Sequence, residues 1–174
     1  MKSLVEFITE SISDNDIYNA VESIFKDCHV GSFGSGLEIS AAGLLDLYDV
    51  CEKLPKITSI DSPKSTKQND LPKLPNCYVA LVETNRNTSE VYFVNKDSQY
   101  ATPRKGLALP NDALPFSSKF VVSPTTNIYD NWGHFERNAQ QVDIYKIDPK
   151  TVDKIWALYN KVQAEKTKEY KNRK

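Results

Sequence analysis

Residues 77–95 hold two runs, CYVALVE (77–83) and SEVYFVN (89–95), rich in β-branched and aromatic residues. Such residues suit a pleated, buried surface. TNRNT (84–88) between the runs has a plausible length for a hairpin loop. An antiparallel sheet is therefore the centre of any fold this chain can adopt. Two further strands are expected, one at KFVVS within 118–123 and one at QQVDIYKI (140–147). Pro103, Pro110, Pro115 and Pro124 make the connections in this region irregular.

Helical spacing dominates the two ends of the chain. Leu4, Phe7, Ile8 and Ile12 form one short apolar stripe, followed by SDND (13–16), a polar break rich in N-cap residue types. Ile17, Ala20, Val21, Ile24 and Phe25 form a second stripe, with Glu22 and Lys26 as an i,i+4 pair on its outer side. After GSFGSG (31–36), Ser40 is placed to cap a third helix whose stripe is Leu44, Leu47, Tyr48, Cys51 and Leu54, and Pro55 ends it. Near the C-terminus, Asp148-Pro149 opens a helix with Asp as cap and Pro in the first turn. Val152, Ile155, Trp156, Tyr159 and Val162 follow on one face, and Trp156 is expected to pack this helix onto the sheet.

Between the helical and β-rich halves lies PKITSIDSPKSTKQNDLPKLPN (55–76), with Pro55, Pro63, Pro72 and Pro75 among many polar residues. It reads as a linker or long loop. The expected organisation is thus an N-terminal amphipathic segment (1–12), a helical part (13–54), a linker (55–76), an antiparallel sheet with a C-terminal helix (77–164) and a basic tail (165–174). The fold class is α+β.

Bulk properties exclude several function classes. Net charge is −1 at 174 residues, so the domain-wide basic field of a nucleic-acid binder is absent. Only the tail EKTKEYKNRK offers a local route to phosphate, and cations there also suit a helix C-terminus. No apolar run approaches the ~20 residues of a membrane span, and Glu6 and Glu10 interrupt any secretory h-region. Cys28, Cys51 and Cys77 form no CxxC pair and leave one thiol over, which argues against a disulfide framework.

Local motifs are few. GSFGSG follows a helix rather than a strand and lacks a closing Lys-Ser/Thr, so it reads as a connector and not a phosphate cradle. Cys28-His29 has no second ligand pair at zinc-binding spacing, and Asp27 beside Cys28 gives no electropositive setting for a nucleophile. No cofactor or metal is implied. NIYDNWGHFER (127–137) is the most site-like stretch. Tyr129, Trp132, His134, Phe135 and Arg137 form a candidate binding surface. His134, helped by Asp130, Glu136 and Arg137, is the weak catalytic candidate. The plain alternative is a Gly133 turn whose Trp and Phe anchor the loop to the core. No nucleophile is identifiable, and the reading leans away from an enzyme.

The opening residues MKSLVEFITES carry one family resemblance. Met-Lys-Ser, Glu-Phe-Ile and the closing glutamate resemble the capsid-targeting peptide of internal head proteins of T-even-like bacteriophages. Those peptides dock into the scaffold core and are removed by a prohead protease after an aliphatic-x-Glu pattern. Here Ile8-Thr9-Glu10 matches, which implies a cut between Glu10 and Ser11. The resemblance covers residues 1–11 only. It implies a virion-associated protein, located in the capsid interior or the host cytoplasm, with the phage scaffold or capsid and a host protein as partners. The other readings are an intracellular binding or regulatory module without a targeting peptide, and the His134-centred enzyme.

Overall fold

The computed structural model describes residues 4–30, 37–61, 73–84, 89–98, 102–103, 110–111, 113–116, 120–121 and 139–172, with the side chains of 4–13, 84, 102–103, 110–111, 113, 115, 120–121 and 139 outside that description. It is an α+β fold with three helices among the described residues, α1 (Leu4–Lys26), α2 (Ala41–Cys51) and α3 (Pro149–Asn172). The strands are β1 (His29–Val30), β2 (Leu37–Glu38), β3 (Lys56–Asp61), β4 (Cys77–Thr84), β5 (Ser89–Asn95), β6 (Thr102–Pro103), β7 (Pro110–Asn111), β8 (Ala113–Phe116), β9 (Phe120–Val121) and β10 (Ala139–Tyr145). Eight of them form an antiparallel sheet in the order β1-β2-β9-β8-β5-β4-β10-β3, and β6 pairs with β7 separately.

The expected 77–95 hairpin is present in full register, from Cys77 opposite Asn95 to Glu83 opposite Ser89. Both of its faces are buried. Val79, Leu81, Val91 and Phe93 face the helices, whereas Tyr78, Ala80, Val82, Tyr92 and Val94 belong to a second core on the opposite side. Burial on both sides explains why these strands read as continuous apolar runs rather than as alternating ones.

All three helices meet on one face. The stripe expected over Ile17–Phe25 of α1 and those of α2 and α3 pack there, with Ala20 and Val162 partly buried and Trp156 1% exposed, while the side chains of Leu4, Phe7, Ile8 and Ile12 lie outside the description. An aromatic chain joins the layers. Phe93 meets Phe116 edge-on at 5.4 Å, Phe116 lies 5.8 Å from Phe25 of α1, and Phe25 lies 6.3 Å from Tyr159 of α3. Such pairs add about 0.5–1.5 kcal/mol each beyond their burial. The two expected caps form as well. Ser40 Oγ accepts from the Gly43 N–H at 3.0 Å, and Asp148 Oδ1 accepts from the Lys150 N–H at 3.0 Å.

Two expectations need correction. SDND (13–16) does not break the first helix, because α1 runs unbroken from Leu4 to Lys26. Polar residues inside a helix cost only tenths of a kcal/mol each, whereas an extra pair of helix ends leaves eight backbone groups to satisfy. Asp14 has its own use there, accepting from Thr151 Oγ1 of α3 at 3.2 Å.

The second correction concerns 55–76. Lys56–Asp61 is not linker but strand β3, paired with β10 from Lys56–Tyr145 to Asp61–Gln141. Ile60 turns into the second core, and the Lys146 N–H donates to the Pro55 carbonyl at 2.8 Å. The prolines that suggested a linker bracket the strand rather than interrupt it, since Pro63 and those beyond all follow Asp61. Residues 62–72 of the expected linker lie outside the described residues. The tail expected from 165 continues α3 in helical form to Asn172.

Candidate functional site

A groove of about 1020 Å³ lies between α1, the end of α2 and the β10–α3 junction. Its α1 wall is polar, formed by Asp14, Asn15, Tyr18, Asn19 and Glu22, which recur at helical spacing beside the apolar stripe. The facing wall carries Lys146, Asp148, Lys150, Thr151 and Lys154. Between the walls lie Leu54, Pro55, Ile147 and Pro149, an apolar strip.

Partly buried polar bonds anchor α3 beside the groove. Asp153 on α3 accepts from Ser98 Oγ at 2.6 Å and from Asn95 Nδ2 at 3.3 Å, tying the first turns of α3 to the exit of β5. Asn95 Oδ1 in turn accepts from the Asp97 N–H at 3.1 Å. The Asp14–Thr151 bond joins α1 to α3 across the groove's end. On the far side of α1, Gly43 of α2 lies so close that a Cβ there would stand 3.0 Å from Ile24 Cγ1. The glycine sets how near α2, and with it Leu54 and Pro55, approaches the α1 wall.

The groove's chemistry is that of recognition. Three lysines and Asp148 on one wall face Asp14 and Glu22 on the other across an apolar strip, with exposed amides from Asn15 and Asn19. Neither histidine nor cysteine lines it. Among the described residues, no group of three or more His, Cys, Asp or Glu side chains is arranged to hold a metal ion. No described helix is long and apolar enough to cross a membrane.

The cysteines are free, with Cys28 and Cys51 buried and Cys77 partly so. Burial raises all three thiols. It pushes Cys77 up to about 12, with Asp148, Asp153, Asp14 and Asp97 adding to the effect. Burial also raises Cys28 and Cys51, and Cys28 Sγ donates to the Phe25 carbonyl at 3.2 Å. These are thiols held neutral, not nucleophiles. His29 pairs with Glu38 at 2.6 Å across the β1–β2 ladder, on an exposed surface.

Tyr129, Asp130, Trp132, His134, Phe135, Glu136 and Arg137 all lie outside the described residues. Glu10 and Ser11 lie within the helical backbone of α1, and their side chains are outside the description. The groove residues were not singled out by sequence reasoning. Their only signals were the polar recurrence of 14/15, 18/19 and 22 and the i,i+4 pair Lys150–Lys154, patterns shared by ordinary solvated helix faces. Compared with protein-family models, with curated proteins and with solved structures, the chain shows no match in any of the three.

Proposed function

We propose that this chain is a bacteriophage virion-associated protein, an internal head or capsid accessory component. It enters the prohead through its N-terminal segment, and is delivered with the DNA to bind a host factor through the α1–α3 groove. The observation that carries the reading is the opening MKSLVEFITES, with Ile8-Thr9-Glu10 placed for removal of residues 1–10. The described core residues of α1 are Ile17, Val21, Ile24 and Phe25, all C-terminal to the Glu10–Ser11 bond. The groove wall, which begins at Asp14, is also retained. A groove with charged walls and an apolar floor suits a folded partner's loop or an extended segment better than a small reactive substrate.

The deciding experiment is the intact mass of the protein recovered from purified phage particles. A mass matching Ser11–Lys174 is the expected result. A full-length mass from the same particles, or the absence of the protein from them, overturns the packaging reading.

A second reading, a binding or regulatory module that keeps its whole N-terminus, is favoured by one observation. α1 passes through the Glu10–Ser11 position without a break. Under that reading the groove has the same role and the mass stays full-length in every compartment.

A further inference from the structure

The sheet ends in a different way from its middle, and the register shows how. On the helix-facing side, three cross-strand rows lead outward from β4 through β10 to β3. They are Val79–Tyr145–Lys56, Leu81–Asp143–Ser59 and Glu83–Gln141–Asp61. The rows start apolar at β4, apart from Glu83, and become polar at β3. On the opposite side the rows Ala80–Ile144–Thr58 and Val82–Val142–Ile60 stay apolar out to Ile60, which is 4% exposed. The outermost strand thus presents one polar and one apolar face to whatever lies beyond it.

The polar face is negative. Among the described residues of these rows, Asp61, Asp143 and Glu83, with Glu52 nearby, stand against one cation, Lys56. That lysine is already engaged, lying 3.9 Å from Asp143 Oδ2 and 5.6 Å from the Tyr145 ring centroid. Gln141 Nε2 donates to Asp143 Oδ1 at 2.9 Å, which fixes the carboxylate in the row. Tyr48 donates to Glu83 Oε1 at 3.5 Å from the end of the helix layer.

β3 is also an edge. Among the described residues it pairs with β10 alone, and Ser59 and Asp61 are exposed, as is Ile57 at 42%. The register slips between Ile144 and Tyr145, so Ile57 bulges and Lys56 guards that end. Bulges and lysines are how edges resist unwanted pairing. Thr58–Asp61 lies beyond the bulge, in regular register, with none of these guards.

We propose that the Thr58–Asp61 edge takes up, by strand addition, an extended segment of a partner protein in which Lys or Arg alternates with Val, Ile or Thr. The alternation follows from the pleat. In an added strand, residues beside Ser59 and Asp61 share the negative face, and residues beside Ile60 continue the apolar one. Backbone bonds supply the affinity and the alternate side chains the selectivity. The inference does not depend on the phage reading or on the groove.

The test uses the full chain and the capped peptide TRVRVRT, read by amide hydrogen exchange and fluorescence anisotropy. Protection of the Thr58–Asp61 amides on binding is expected. The charge-reversed TEVEVET should not bind. TRVRVRT N-methylated at the amides that would face β3, which has the same charge but cannot pair, should also fail. Asp61→Asn, an exposed substitution, should weaken binding by up to about fivefold, the value of one cross-strand charge pair. No binding of TRVRVRT at ~1 mM overturns the proposal, as does equal binding of TEVEVET or of the N-methylated peptide. Protection of Thr58–Asp61 that rises with protein concentration and no peptide would assign the edge to a second copy and overturn it too.

Discussion

Gly43→Ala tests the packing that sets the groove. Gly43 is the third residue of α2, one turn after its Ser40 cap. Taken alone, alanine in a helix is favoured over glycine by up to about 1 kcal/mol. The structure opposes that gain twice. The new Cβ would lie 3.0 Å from Ile24 Cγ1 and 3.0 Å from Ser40 Oγ. Ile24 is 5% exposed and packed in the core, so it yields only by moving α1 against α2. Overpacking of this kind costs about 1–3 kcal/mol. Pressure on Ser40 Oγ also threatens its bond to the Gly43 N–H, and a lost cap costs about 1 kcal/mol. The expected net result is a loss of about 1–3 kcal/mol, measured as a lower urea midpoint at unchanged slope. The cause is checked by adding Ile24→Ala. Alone it should cost about 2–5 kcal/mol, but less in the Gly43→Ala background because the clash is relieved, a coupling of at least ~0.5 kcal/mol. If Gly43→Ala is neutral or stabilising, or the two substitutions add independently, the close α1–α2 approach is not what the glycine serves.

Under the address reading, removing residues 1–10 is expected to change the unfolding free energy by less than ~1 kcal/mol; a loss of several kcal/mol would place Leu4, Phe7 and Ile8 in the core at about 1.5–3 each. Lys150→Glu with Lys154→Glu, both exposed, should leave the melting temperature within a degree or two and abolish capture of a groove partner from host extract; retained capture would remove the groove from the binding reading. Stability should hold below ~pH 8 and fall as pH rises from ~8.5, because unfolded thiols and phenols ionise while their folded counterparts resist. Burial raises Cys28, Cys51, Tyr48 and Tyr92, and pushes Cys77 and Tyr145 up to about 12, so each contribution is complete below the unfolded value and lost on approach to the folded one. Urea titrations at pH 7 and pH 10 measure this, and equal midpoints would contradict it. A thiol reagent at pH 8 should label none of the three cysteines in the native protein and all of them in denaturant.

The elements legible in the sequence were those whose signals were local and redundant. The 77–95 hairpin was overdetermined by composition. α2 had a cap, a stripe and a terminating Pro55, and α3 had the Asp148-Pro149 start. The misreadings arose where local and tertiary terms disagreed. SDND looks like a helix boundary because each residue prefers a cap, but Asp14 finds its partner in Thr151, 137 residues away. ALPF (113–116) contains Pro115 and was passed over as irregular, yet it forms β8, with Pro115 opposite Tyr92 of β5. Among the described residues β9 meets β8 only at Phe116, so Pro115 occupies the edge-like setting a strand proline tolerates. KITSID was hidden by the prolines that follow it.

The groove was illegible for a different reason. Its walls come from 14–22, 54–55 and 146–154, segments far apart in the sequence that meet only in the folded chain. None is unusual alone, whereas NIYDNWGHFER concentrates aromatic and charged residues in one run and so draws attention regardless of where it sits. The negative face at β3 shows the same logic. Ser59 and Asp61 in KITSID and Gln141 and Asp143 in QQVDIY sit two apart, and such spacing is ordinary for a half-exposed sheet. Only the register, which sets Asp61 opposite Gln141 and Ser59 opposite Asp143, puts them in common rows. A surface built this way is specified by pairing and not by any motif, so its test must be one that reads pairing: an added strand either protects Thr58–Asp61 or it does not.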